Sequence, residues 1–365
     1  MTSPLPSNLY SVDALPFSHH PSFFPVIYSA LHGAGANAVP AVLDRLGFSP
    51  VCIQQDPDGA FGGLETPNPE EPVVYIKALA EAEKTNAKLI LATDPDCDRV
   101  GVMVKVNKGY ELLNGNQIGA LLIDYIASLA KLQKNTDVSF PAGRSKEPNK
   151  SSYVVISTIV SGILGELVSK DYGLEFVRLL TGFKYIGEHI VNLPQERKFF
   201  FGYEESYGFL AGDGARDKDA VIASALIVKM AAFYDTKGKT LVDRLDELHE
   251  IYGYCRESLH SIIIPQEDQK IIMKKLRAGI TFKGLVKTED YLPGINGLPS
   301  ADVIKMYFKE ETGGSTINAW AAVRPSGTEP KLKLYTCVHA ETHKAAKEYL
   351  KNLTDQLLEI LEVKT

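Results

Sequence analysis

Apolar positions along this chain come in short runs separated by amphipathic stretches. The run from Val26 to Ala30 predicts a strand, and beyond a Gly-containing loop the spacing from Ala38 to Leu46 predicts a helix. The alternation continues with a strand at Val51 to Gln54, a Pro-rich loop carrying Pro67-Asn68-Pro69-Glu70, a helix at Val74 to Lys84 and a strand at Leu89 to Ala92. Strands alternating with helices in this way build an α/β unit with a largely parallel sheet. A Lys/Ser/Pro/Asn-rich stretch at 132–152 has no apolar pattern and reads as a domain junction. A second α/β unit follows, with a strand at Val154 to Ile156, a helix at 158–169, strands near Phe176 to Arg178 and Phe199 to Phe201, and a long helix at Ala220 to Tyr234. Past about Ile262 the pattern changes to short strands and two helices, the last at 341–362, which predicts a smaller α+β domain. Residues 1–24, rich in Pro, Ser and His, read as a tail. The expected division is therefore 1–24, 25–140, 150–260 and 262–365, and no short-period repeat is visible.

At 365 residues and 45% hydrophobic content the chain is long enough for two or three domains with real cores. Its first twenty-five residues contain no Lys or Arg and no long apolar stretch, which argues against a secretory signal or transit peptide. No membrane segment interrupts the chain, and a cytoplasmic enzyme is the expectation. Cys52, Cys97, Cys255 and Cys337 lie far apart without a CxxC pair, against both a disulfide framework and a zinc site. A formal charge of −6 without a dense basic run leaves no electrostatic footprint for nucleic acid, so an anionic ligand needs a local site.

The sharpest chemical feature is Asp94-Pro95-Asp96-Cys97-Asp98-Arg99, directly after the apolar run Leu89-Ile90-Leu91-Ala92. Three carboxylates at alternate positions beyond a buried strand repel one another unless a cation sits among them. Oxygen donors without His or Cys at ligand spacing favour magnesium or calcium. An EF-hand loop opening at Asp94 would want Gly at its sixth position and an acid at its twelfth, and Arg99 and Lys105 stand there, which leaves magnesium.

Other loops offer complementary groups. Gly202-Tyr203-Glu204-Glu205-Ser206-Tyr207-Gly208 presents acids and a hydroxyl suited to a polyol, with an ordinary turn as the competing reading. Arg216-Asp217-Lys218-Asp219 precedes the long helix, where Lys218 could reach a phosphate or act as an acid, or where the acids simply favour the helix dipole. Arg324-Pro325-Ser326-Gly327-Thr328-Glu329-Pro330 reads as a phosphate cradle, joining an Arg to two hydroxyls and a run of backbone N–H groups. Thr181-Gly182-Phe183-Lys184 is a further contact loop, and His32 reads as a hydrogen-bonded structural histidine.

Taken in this order, these stretches resemble the α-D-phosphohexomutases, most closely the phosphoglucomutase and phosphopentomutase branch, from about residue 26 to the C-terminus. The resemblance implies an α/β fold: two tandem phosphohexomutase-type domains with mixed, largely parallel sheets flanked by helices, plus a C-terminal α+β domain. It implies that Asp94, Asp96 and Asp98 hold magnesium with Arg99 beside the phosphoryl group, and that Lys218 is the basic residue before the helix. Thr181, Gly182, Glu204 and Ser206 would contact the sugar, while Arg324, Ser326, Gly327 and Thr328 would hold its phosphate. The family's first domain carries a phosphorylated serine, usually within Ser-His-Asn-Pro, and no such domain is matched here. Ser18-His19-His20-Pro21 looks similar but lies too near the first strand to be held on a scaffold, so it is not expected to supply the nucleophile. Cys97, where the family usually has Ala, would expose the metal loop to oxidation.

The activity implied by the resemblance is interconversion of sugar 1-phosphate and 6-phosphate through a bisphosphate, with magnesium and a glucose 1,6-bisphosphate primer. Without a phosphoserine domain this chain is expected to be inactive alone, its partners being a sugar phosphate and a separately encoded or removed N-terminal domain. Phosphopentomutase activity and non-catalytic sugar-phosphate binding are the alternatives. A haloacid-dehalogenase-like phosphatase would use Asp94 and Asp96 with Asp213 and Asp217, but it leaves the 324–330 stretch unexplained.

Overall fold

A computed structural model describes residues 24–132, 152–212, 214–312, 315–326 and 330–361. The chain forms two compact units, Met1–Glu247 and Leu248–Thr365. The tail with Ser18, and most of the expected junction, lie outside the described residues.

The first unit contains two sheets. In one, β1 (Val26–Ser29), β2 (Val51–Ile53) and β3 (Leu89–Thr93) run parallel, and β4 (Val100–Val106) and β5 (Gly109–Leu113) return antiparallel, in the order β2-β1-β3-β4-β5. Every residue of β1 and β3 is buried, as their continuous apolar sequences require for parallel strands covered on both faces. Helix α1 (Gly35–Arg45) starts three residues before the expected Ala38, and α2 (Ile76–Thr85) follows a 3-10 turn at Pro72–Tyr75. Ala78 and Ala82, one turn apart on α2, let it pack closely over Ile27, Ile90 and Met103.

Helix α3 (Gly115–Leu132), which patterning did not single out, leads to the second sheet. There β6 (Tyr153–Thr158), β7 (Glu175–Leu179) and β8 (Lys198–Tyr203) are parallel and β9 (Phe209–Ala211) antiparallel, in the order β7-β6-β8-β9. The two sheets are wired alike: the first strand is central, the second lies to one side, the third to the other, and the next returns antiparallel. Helix α4 (Leu164–Asp171) starts six residues later than the expected 158, because Ser157, Thr158 and Ser161 bond among themselves and hold the intervening backbone out of the helix. Phe183 and Lys184 open a further helix, α5 (Phe183–Val191), so only Thr181 and Gly182 of that candidate loop remain outside it.

Helix α6 (Ala220–Asp235), capped by Asp219 accepting from the Val221 and Ile222 N–H groups, is buried on nearly all sides. It packs against α1, α3, β3, β4 and β9, and so draws both sheets into one unit. The buried Asp124 carboxylate reinforces this join, accepting from the Tyr172 and Tyr234 hydroxyls and twice from Arg244 on α7 (Leu241–Tyr252), at 2.8–3.0 Å.

The second unit is an antiparallel sheet of β10 (Tyr254–Ile263), β11 (Leu285–Asp290), β12 (Ile304–Thr312), β13 (Ser315–Pro325) and β14 (Lys331–Ala340), in the order β10-β14-β13-β12-β11. Helices α8 (Gln266–Ala278) and α9 (His343–Ile360) supply Met273, Leu276, Leu353 and Leu357 to its core. The unit begins before the expected residue 262, and four of its strands are nine to eleven residues long rather than short. Edge strand β10 carries polar residues such as Arg256, Glu257 and Ser261, which hid it from an apolar pattern.

Candidate active site

Asp94 is the first residue beyond β3 and is only 1% exposed. Its Oδ1 accepts from the backbone N–H of Asp98 (3.1 Å) and Arg99 (2.9 Å), and its Oδ2 from Arg99 Nε (2.6 Å). The Cys97 N–H closes the turn onto the Asp94 carbonyl at 3.0 Å, with Cys97 in the left-handed region at φ 60°. This turn gathers one carboxylate oxygen from each of Asp94, Asp96 and Asp98 within 4.8 Å of one another. Burial, joined by the charge of Asp98, outweighs the bonds and charge of Arg99 and leaves the Asp94 carboxyl raised to about 6. A set of hard oxygen donors, one of them buried among like charges, fits a small divalent cation.

Lys218 arrives from the segment before α6. Its Nζ is 2.8 Å from Asp98 Oδ2, 3.1 Å from Asp217 Oδ1 and 5.5 Å from the centre of the Phe183 ring. Burial pulls this ammonium down, but Asp98 and Asp217 outweigh it and hold the group above an ordinary lysine. The Lys218 stem crosses Gly208, where any Cβ would strike it.

The β8–β9 connection carries the two neighbouring acids, and the structure splits their roles. Glu204, 7% exposed, accepts the Gly182 N–H on Oε1 at 2.7 Å, and Gly182 adopts φ +115° to offer it. Glu205 turns the other way, where its Oε2 accepts from Thr158 Oγ1 (2.8 Å) and Ser161 Oγ (3.3 Å). Gly115 lies so close beneath this loop that a Cβ would run into the Glu205 carbonyl. Ser206, the next residue, is half-buried.

Backbone bonds join the two loops. The Val100 N–H donates to the Tyr207 carbonyl at 3.1 Å, Arg99 and Gly208 form an antiparallel bridge, and the Ala220 N–H donates to the Cys97 carbonyl at 3.3 Å. Asp94, Asp96, Asp98, Arg99, Thr181, Gly182, Glu204, Ser206 and Lys218 thus belong to one continuous arrangement in the first unit. Sequence reasoning took Glu205 as one of the acids of the loop and missed its turn onto Thr158 and Ser161, as it missed the contact of Arg99 Nη1 with Glu70 Oε1 at 3.3 Å. The His32 Nδ1 donates to the Asp56 carbonyl at 2.8 Å.

Arg324 and Ser326 belong to the second unit, at the end of β13. Both are half-buried, and the Ser326 N–H donates to the Lys331 carbonyl at 2.7 Å. Gly327 and Thr328 lie outside the described residues, as does Asp213.

The sequence patterns of phosphoglucomutase/phosphomannomutase alpha/beta/alpha domain II, alpha/beta/alpha domain III and C-terminal domain match residues 11–108, 114–252 and 283–356. The chain belongs to the phosphoglucomutase/phosphomannomutase family, within the α-D-phosphohexomutase superfamily. It is 35% identical over 350 residues to a phosphoglucomutase of Staphylococcus haemolyticus, covering 90% of this chain and 59% of that protein. A phosphoglucomutase of Staphylococcus epidermidis is 34% identical over 339 residues, 87% and 58% of the two chains. The chain therefore spans somewhat over half the length of these relatives. Among solved structures, the phosphoglucomutase pp63/parafusin from Paramecium aligns at a TM-score of 0.66 and 18% identity, covering 98% of this chain and 60% of that one. An Aspergillus fumigatus N-acetylphosphoglucosamine mutase, solved with GlcNAc-6P and magnesium, aligns at 0.53 and 15% identity, covering 97% and 68%. These structural likenesses support the two tandem α/β sheets and the C-terminal α+β unit. None of the described helices is long and apolar enough to cross a membrane.

Proposed function

We propose that this chain forms the metal- and sugar-phosphate-binding part of a phosphohexomutase that interconverts glucose 1-phosphate and glucose 6-phosphate through glucose 1,6-bisphosphate. The observation that carries this reading is the union of the carboxylate cluster, Lys218 and the Glu204 loop in one hydrogen-bonded arrangement. Asp94, Asp96 and Asp98 would hold magnesium, which when bound neutralises charge on a transferring phosphoryl group. Glu204 and Ser206 have the donors and acceptors to hold vicinal sugar hydroxyls, with Gly182 fixing the Glu204 carboxylate. Lys218, protonated and half-buried, supplies a positive charge and a proton donor beside the cluster. In the second unit, Arg324 and Ser326 carry the charge and the hydroxyl to hold a phosphate group.

Calorimetric titration with glucose 6-phosphate and glucose 1,6-bisphosphate in magnesium tests this reading. Arg324→Ala is expected to weaken binding by about 1.5–3 kcal/mol, the range for hydrogen bonds to charged groups. Equal affinity in parent and variant would remove the cradle from the reading, and preferential binding of ribose 5-phosphate would move it to a pentose substrate. A primer-dependent mutase assay, with and without a supplied phosphoserine domain, then reads turnover separately from binding.

A further inference from the structure

Arg99 is gripped on two sides. Its Nε bonds to Asp94, while its Nη1 lies 3.3 Å from Glu70 Oε1 and 3.5 Å from Asn68 Oδ1. Asp94 is a neighbour in sequence, whereas Glu70 comes from the Pro-rich loop before α2, to which the proposed function assigns no role. That loop is firmly seated. The fully buried Tyr75 donates its hydroxyl to the Pro69 carbonyl at 2.9 Å, and Gly101 of β4 leaves room for both, since a Cβ there would strike the Tyr75 hydroxyl and the Pro69 carbonyl. Asn68 shapes the turn further by accepting the Glu70 N–H on Oδ1 at 3.1 Å. The backbone that carries Glu70 is therefore set by packing against β4, the strand that follows the carboxylate loop.

We propose that Glu70 is a positioning residue, assisted by Asn68, that fixes the plane of the Arg99 guanidinium so that its remaining N–H edge faces a phosphate group of the substrate. The proposal rests on the sugar-phosphate reading above. A guanidinium offers five N–H donors in one plane, and two carboxylates on Nε and Nη1 leave the Nη2 edge to donate elsewhere. With Asp94 alone, a single bond would leave the side chain free to swing toward Asp98, whose Oδ1 already lies 3.8 Å from Nε. A positioned guanidinium is ready for a phosphate without reorganisation when the ligand arrives.

The test uses the full chain in magnesium with glucose 1,6-bisphosphate as the probe, together with the Arg99 Nε–H signal by NMR. Glu70→Ala is expected to weaken bisphosphate binding about tenfold, Glu70→Gln, which keeps an acceptor, by about twofold, and Glu70→Ala added to Arg99→Ala to cost nothing more. Additive losses in the double variant, or unchanged affinity in Glu70→Ala, would overturn the proposal. A merely structural role would lower the melting temperature without this coupling. If the parent fails to bind the bisphosphate, the sugar-phosphate reading falls, and the Arg99 Nε–H signal judges the positioning alone: a shifted, broadened signal in Glu70→Ala supports it, and an unmoved signal overturns it.

Discussion

The β3–β4 loop and the β8–β9 loop occupy the same place in two sheets with the same wiring, yet they are held by different means. The first shapes its turn largely from within, Asp94 accepting from Asp98, Arg99 and the Arg99 side chain, all within six residues, while Lys218 and the Ala220 N–H brace it from outside. The second is held from outside, with Glu204 bonded to Gly182 and Glu205 to Thr158 and Ser161. One connection has thereby become a compact anionic cup and the other a pair of acids aimed at different neighbours. A loop that gathers like charges needs fixed backbone donors close by, whereas a loop that presents hydroxyl-binding groups can borrow its rigidity from the surrounding strands and helices.

The strongest way to break this comparison is to remove the pivot of the self-held loop. Asp94→Ala leaves two backbone N–H groups and the Arg99 guanidinium without their acceptor, at an expected cost of about 3 kcal/mol of stability measured by urea unfolding. Magnesium is expected to raise the melting temperature of the parent and EDTA to reverse the rise, and Asp94→Ala should abolish that response. The exposed Asp96 takes no part in holding the turn, so Asp96→Ala should lose the magnesium response while metal-free stability stays within about 0.5 kcal/mol. A magnesium shift in Asp96→Ala equal to the parent's would refute the metal assignment.

The externally held loop should respond in the opposite sense. Glu205→Ala removes the carboxylate to which the Thr158 and Ser161 hydroxyls donate, leaving them their bond to each other, and should cost about 1–2 kcal/mol, with a weaker glucose 6-phosphate affinity and an intact magnesium response. Glu205→Gln, which keeps an acceptor at the same place, should cost less. Were Glu205→Ala to abolish the magnesium shift as well, the two loops would be one cooperative element rather than two separately supported ones.

This difference in support also decides what could be read from residues alone. The carboxylate loop was legible because its three acids, the arginine that pairs with Asp94 and its turn all fall between Asp94 and Arg99. Glu204 and Ser206 came through resemblance, but the inward turn of Glu205 depends on hydroxyls more than forty residues earlier, and Glu70 on an arginine nearly thirty residues later. The same physics governed the elements. Strands β1 and β3 announce themselves by continuous burial, while α3, buried around almost its whole circumference, was not singled out. The start of α4 was misplaced because local hydroxyl bonds, which apolar spacing does not register, won over helix formation at 158–163.

The smallest expected effect concerns Cys97, the one thiol inside the self-held loop. From sequence it exposes the loop to oxidation, but its surroundings oppose this. Burial, with the charges of Asp94, Asp219 and Asp96, outweighs a hydrogen bond with Thr93 and leaves the thiol raised to about 11. The reactive species is the thiolate, so the fraction available near pH 7 is far below that of an unhindered cysteine. Alkylation of Cys97 by iodoacetamide, followed by peptide mass spectrometry, should be slow at pH 7.5 and rise about tenfold per pH unit up to the region of its pKa. Cys97→Ala should leave stability within about 1 kcal/mol, since the residue's left-handed backbone remains strained either way. Rapid alkylation at pH 7.5 would show that the loop opens in solution and that its hydrogen bonds do not hold it as tightly as the Asp94 network implies.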